Sequence, residues 1–173
     1  HNDYRMTQCN SSFDQKYLEQ VNQVVTISNT CLDILKKVFP TIPSMVLPNI
    51  VNSTSIKSYA QGMPDEYKGV ESKKLLTIGR LSHQKGYDYL LEIASCLKKM
   101  RYDFIWFIIG EGELKEQLLA DRRERKLEDR VRFIGTRENP YPYIKNADVV
   151  VQTSRHEGKS IVLDEAKILN KLI

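Results

Sequence analysis

Hydrophobic and polar positions follow two different rhythms along this chain. Ahead of about residue 48 the apolar runs are short and widely spaced. Val24-Val25-Thr26-Ile27-Ser28 and Ser44-Met45-Val46-Leu47 each predict a brief strand. Between them Leu32, Leu35 and Val38 or Phe39 recur at helical spacing. Ser28 or Asn29 is placed to cap that helix, and Pro40 and Pro43 end it. Residues 14–22 read as a further short helix. Residues 52–72 are polar and carry Gly62, Pro64 and Gly69, which predicts a linker or surface excursion.

From Lys73 the rhythm is regular. Strands are predicted at Leu75–Ile78, Phe104–Ile109, Val131–Ile134 and Val149–Gln152, alternating with helices over 85–100, 112–126, 140–146 and 161–169. Leu90, Leu91, Ala94 and Leu97 form the core face of the first helix, and Leu114, Leu118 and Leu119 that of the second. The strands are apolar throughout, as expected when helices cover both faces of a sheet. Strand alternating with helix predicts an α/β fold, a Rossmann-like parallel sheet with flanking helices. The strand due after the last helix begins only at the final residues, and the chain opens at His1 rather than Met. Both observations read as a piece of a longer protein.

Composition narrows the class. Of the 173 residues, 41% are hydrophobic and 28% charged, the mix of a globular protein, and no apolar run approaches the ~18 residues of a membrane helix. The net charge of +4 is uneven: 6 Lys and Arg face 7 Asp and Glu over residues 1–72, against 20 and 15 over 73–173. A basic second part suits an anionic ligand or a membrane surface. Arg122-Arg123-Glu124-Arg125-Lys126 mixes signs, so it reads as a solvated helix face, and nucleic acid is not an expected partner. Cys9, Cys31 and Cys96 have no metal-ligand spacing and read as reduced thiols of a cytoplasmic protein.

Open parallel sheets bind ligands beyond the carboxyl ends of their strands. The chemically capable residues fall at such ends. Arg80 and Lys85 follow the first regular strand, Gly110-Glu111-Gly112 the second, Gly135-Thr136 the third, and Thr153 to Gly158 the fourth. Arg80 offers a planar fork for phosphate oxygens and Lys85 a compact charge at the start of its helix. Surface ion pairing is the plainer role for both. Glu157-Gly158-Lys159-Ser160 precedes a helix whose free N–H groups suit a phosphate. Glu165, with seven residues between it and Glu157, lies about one turn into that helix. An ionised carboxylate only accepts hydrogen bonds, so it suits the paired hydroxyls of ribose or hexose. Capping or a surface ion pair is again the plainer role. In Gly110-Glu111-Gly112 the third glycine of a dinucleotide fingerprint is replaced by Lys115. His83 and His156 read as loop residues. No metal motif precedes the site, so no metal or other cofactor is expected.

From about Val24 to Ile173 these motifs together resemble the retaining GT-B glycosyltransferases of family 4. The resemblance rests on Gly79-Arg80 with Lys85-Gly86, Gly110-Glu111-Gly112, Val131-Arg132-Phe133-Ile134-Gly135, Ala147-Asp148-Val149 and Glu157 to Glu165. It implies a two-domain enzyme. Residues 1–48 would be the tail of an acceptor-side domain, 49–72 the linker or start of the next, and 73–173 an incomplete nucleotide-sugar-binding domain. It implies that Arg80, Lys85, Gly158, Lys159 and Ser160 serve the donor diphosphate. Glu165 would serve the ribose, Gly135 and Thr136 the base side, and Glu157 the transferred sugar, with His1 as a catalytic residue facing the cleft. The family's usual Glu-Gly-Phe-Gly is here Glu-Gly-Lys-Ser, which bears on donor choice.

The implied reaction is transfer from a nucleotide-diphosphate sugar, a UDP-sugar first, to a glycan or lipid-linked acceptor in surface polysaccharide or lipopolysaccharide biosynthesis. Peripheral association with the inner face of the membrane is left open. A non-catalytic nucleotide-binding module and a GT-B epimerase are the alternatives.

Overall fold

The computed structural model describes residues 20–157 and 159–173. The readings at His1, Cys9 and Gly158 lie outside them. So does the helix read over 14–22, except at 20–22, which are not helical. The described residues divide into two units. One holds residues 20–50 with 156, 157, 159 and 160; the other holds 51–155 with 161–173.

The first unit is a small β-α-β arrangement. Strand β1 (Val24–Thr26) and β2 (Ser44–Val46) run parallel, with Val24 opposite Ser44 and Thr26 opposite Val46. Helix α1 (Asn29–Val38) connects them and starts where Ser28 Oγ accepts a hydrogen bond from the Cys31 N–H at 3.2 Å. Its face buries Cys31 and Leu35.

The second unit opens with α2 (Ser53–Tyr59) and continues with β3 (Lys73–Ile78), α3 (Tyr87–Lys99), β4 (Phe104–Ile109), α4 (Lys115–Glu124), β5 (Val131–Phe133), α5 (Tyr141–Asn146), β6 (Val149–Val150) and α6 (Ile161–Ile168). The strands form a parallel sheet in the order β5-β4-β3-β6. Leu172 pairs in parallel with Val149, and the Val150 N–H donates to Leu172 O at 2.9 Å. Leu172 thus lies at the outer side of β6.

Strand β4 shows why its run is unbroken. Phe104, Trp106 and Ile108 enter the core beneath α3 and α4, together with Leu90, Leu91, Ala94, Leu118 and Leu127. Ile105, Phe107 and Ile109 enter the core on the other face, with Tyr67, Tyr143, Ile144, Val150 and Ala166. Successive side chains point to opposite faces, so a strand covered on both sides is apolar at every position.

Residues 49–72 carry two readings, a linker or surface excursion and the start of the next domain, and the first is corrected: residues 52–72 are a covering layer of the second unit, which begins at Val51. Asn52 caps α2 by accepting from the Ser55 N–H at 3.0 Å, and Ile56, Ala60 and Tyr67 are fully buried. The Tyr67 ring centre lies 4.5 Å from that of Phe107 and 5.5 Å from that of Tyr143. Ser, Thr and Lys fill the outward positions, so too few apolar residues remain to show a period.

Candidate functional site

The strand order sets the location. β3 comes first in the sheet, yet its neighbours are β4 on one side and β6 on the other. The loops leaving β3 and β6 therefore diverge to opposite faces and open a crevice at their carboxyl ends. The loops after β4 and β5 continue the same edge.

These loops are joined through the main chain. Gly79 N–H donates to Ile109 O, Leu81 N–H to Glu111 O, Leu114 N–H to Leu81 O and Gly110 N–H to Gly135 O, all at 2.9–3.1 Å. Such contact leaves no room for side chains. A Cβ on Gly110 would lie 1.9 Å from Gly79 O, and one on Gly112 would lie 2.4 Å from Leu81 O. Gly86, which is left-handed at φ +65°, would meet Thr153 O at 2.2 Å. The glycines of Gly110-Glu111-Gly112 thus serve loop packing.

The loop after β6 is tied to the start of α3. Thr153 Oγ1 donates to Lys85 O at 3.1 Å and the Arg155 N–H to Gln84 O at 2.8 Å. The Arg155 guanidinium chelates Asp88, donates to His83 O at 2.9 Å and stacks 4.2 Å above the Tyr89 ring. Arg155 holds the Asp88 carboxyl below its ordinary value. Deeper in the sheet Trp106 Nε1 donates to Thr77 Oγ1 at 3.0 Å, and Thr77 donates to Val151 O at 2.8 Å, linking β4, β3 and the end of β6.

Two cations stand at the carboxyl end of β3. Arg80 is exposed and pairs with Glu113, Nε to Oε2, at 3.1 Å. Exposed pairs of this kind contribute little, so the guanidinium can turn to a better anion at small cost. Lys85 is half-buried and its stem lies over Gly79: a methyl there would sit 3.4 Å from Lys85 Cε and 3.5 Å from Tyr87 Oη. Tyr87 in turn donates to Gly79 O at 2.8 Å.

At the far end of the edge, Gly135 is left-handed at φ +72° and a Cβ on it would approach Glu111 Oε1 at 3.4 Å. Thr136 O accepts from Arg137 Nη1 at 2.9 Å. Glu165, half-buried on α6, accepts from the Tyr141 hydroxyl at 3.1 Å. Burial pushes the Glu165 carboxyl above its ordinary value, and the Tyr141 bond only partly offsets this.

The second unit therefore gathers Arg80, Lys85, Gly135, Thr136 and Glu165 at one sheet edge. Glu157, exposed, and Lys159 and Ser160, half-buried, belong to the first unit. Sequence reasoning missed Glu66, Arg137, Tyr141 and Tyr143. Arg137 bonds Glu66 across 71 positions, a pairing with no local signal. The two tyrosines two positions apart after Pro140 were the only visible hint. Among the described residues no three His, Cys, Asp or Glu side chains gather as a metal site would need. No helix among them is long and apolar enough to cross a membrane.

The family model for glycosyl transferases group 1 matches residues 63–173. The amylovoran biosynthesis glycosyltransferase AmsD of Erwinia amylovora is 31% identical over 103 residues, 60% of this chain and 29% of that protein. The capsular polysaccharide biosynthesis glycosyltransferase CapH of Staphylococcus aureus is 26% identical over 98% of this chain and 51% of its own length. The chain thus spans about half or less of these relatives. TarM of S. aureus, solved with fondaparinux, alpha-GlcNAc-glycerol and UDP, superposes with a TM-score of 0.73 at 25% identity, covering 92% of this chain and 31% of that one. The parallel sheet with flanking helices is that of GT-B glycosyltransferases.

Proposed function

The chain belongs to the glycosyl transferases group 1 family, and from that premise we propose that it forms the donor-binding part of a retaining, family 4 hexosyltransferase that uses a UDP-sugar. The observation that carries this reading is the pair of cations, Arg80 and Lys85, at the carboxyl end of β3 where the strand order switches sides.

Glycosyl transfer from such a donor breaks the bond between the anomeric carbon and a diphosphate oxygen. Negative charge then grows on the departing diphosphate. Arg80 and Lys85 supply positive charge there, the role that a metal fills elsewhere, and by the family's pattern Gly158, Lys159 and Ser160 also serve the diphosphate. Glu165, its Oε1 already held by Tyr141, accepts from the ribose hydroxyls. Gly135 and Thr136 border the base. By the family's pattern Glu157 would serve the transferred sugar and His1 the catalytic step, with displacement on the front face giving retention. The acceptor is a glycan or a lipid-linked acceptor, and the name of CapH, a capsular polysaccharide biosynthesis glycosyltransferase, supports a polysaccharide product. The enzyme then works in the cytoplasm, at the inner face of the membrane where such acceptors are built.

Calorimetry with UDP and with inorganic diphosphate tests the reading. Arg80→Ala and Lys85→Ala are each expected to weaken both ligands roughly tenfold or more, the worth of one charge-assisted contact. Glu165→Gln is expected to weaken UDP alone. Unaltered affinities in both cation variants would remove the diphosphate role.

A further inference from the structure

The loop leaving β5 is built unlike its neighbours. Among the described residues its main-chain ties lie at its start, where the Ile134 N–H donates to Ile108 O and the Gly110 N–H to Gly135 O, both at 2.9 Å. Past Gly135 the chain turns away, and side chains hold it. Arg137 donates from Nη1 to Thr136 O at 2.9 Å, from Nε to the Tyr143 hydroxyl at 2.8 Å and from Nη2 to Glu66 Oε1. The Tyr143 hydroxyl donates to the other Glu66 oxygen at 2.8 Å. Both carboxylate oxygens are thus engaged, and Glu66 and Arg137 expose only 29% and 30% of their side chains. Asn139 Nδ2 adds a bond to Tyr59 O at 2.8 Å, again in the layer that precedes the sheet. Four residues after Arg137, Tyr141 presents its hydroxyl to Glu165.

This layout has a consequence for the ligand. The carbonyl of Thr136 and the hydroxyl of Tyr141 lie on one short path, and Glu66 fixes that path from outside the sheet. The diphosphate cations, by contrast, stand on loops that the main chain holds without Glu66. We propose that Glu66 is a positioning residue: acting through Arg137 and Tyr143, it sets the shape of the base-and-ribose side of the site while leaving the diphosphate side alone. The proposal rests on the nucleotide reading above.

The same calorimetry separates the two. Glu66→Ala is expected to weaken UDP about tenfold and to leave inorganic diphosphate within about twofold of the unaltered chain. Tyr143→Phe keeps the ring in the core and removes only the hydroxyl, so it is expected to give a smaller loss, again confined to UDP. A purely structural role would lower both affinities together, and that outcome overturns the proposal, as does UDP binding that neither substitution changes. Should the unaltered chain bind diphosphate and not UDP, the nucleotide reading fails first and carries this one with it.

Discussion

Two stretches of one sheet edge are held by different means. The loops after β3 and β4 lie backbone against backbone, with Gly79, Gly110 and Gly112 at the points of closest approach. The loop after β5 is held by a carboxylate, a guanidinium and a phenol. Main-chain contact frees the local side chains, which is why Arg80 can stand exposed beside a rigid turn. Side-chain contact makes a loop's shape depend on a residue far away in the chain and on its protonation state. On the proposed reading the first arrangement serves a diphosphate, whose geometry is constant. The second suits the part of a ligand where discrimination is required.

A methyl group placed between the main chains should do the most damage. Gly110→Ala would set Cβ 1.9 Å from Gly79 O, at a φ of +149° that side chains rarely adopt. Neither atom belongs to a flexible side chain, so strands β3 and β4 must separate at their ends. A loss of roughly 3 kcal/mol or more is expected in urea melting. An unchanged midpoint would mean that the loops slide apart freely and that main-chain locking is unimportant.

Acid should act on the other stretch. Burial pushes the Glu66 carboxyl up, but hydrogen bonds from Arg137 and Tyr143 outweigh this and hold it below its ordinary value of 4.5. A depressed carboxylate contributes stability that is present above the unfolded value and lost as pH falls through the folded one. The unaltered chain should therefore exceed Glu66→Gln by about 1–2 kcal/mol at neutral pH, with the gap closing below pH 4.5. Urea midpoints of the two, compared from neutral to acid pH, check this. A gap that persisted at the acid end would assign it to shape instead of charge.

The smallest expected effect is a gain. Just past the Arg125 C-cap of helix α4 lies Lys126, a non-glycine residue in the left-handed region at φ +54°. Its carbonyl accepts from Lys98 Nζ at 2.5 Å, a contact that any residue at this position preserves. Lys126→Gly relieves the backbone and should raise stability by about 0.5–1 kcal/mol in thermal melting. A loss would show that the Lys126 side chain contributes more than its backbone conformation costs.

Much of this was legible in the residues alone. The run Phe104–Ile109 is apolar at every position because both faces are covered, so the sheet announced itself, and its alternation with helices announced parallel strands. Arg80, Lys85 and Gly135 fall past strand ends and Glu165 within the last helix by counting alone, since connectivity fixes which loops share the carboxyl edge of a parallel sheet. Tertiary structure alone decided the strand order, which puts β3 between β4 and β6 and creates the crevice. It alone showed that Gly110 lies against Gly79 and Gly112 against Leu81. It also turned residues 52–72 from an apparent linker into a layer whose Glu66 holds Arg137. The reason is one of range. Periodicity and turn chemistry are local and repeat within a few residues. A lone buried tyrosine and a glutamate that finds its partner 71 positions away leave no pattern in the chain until the fold brings them together.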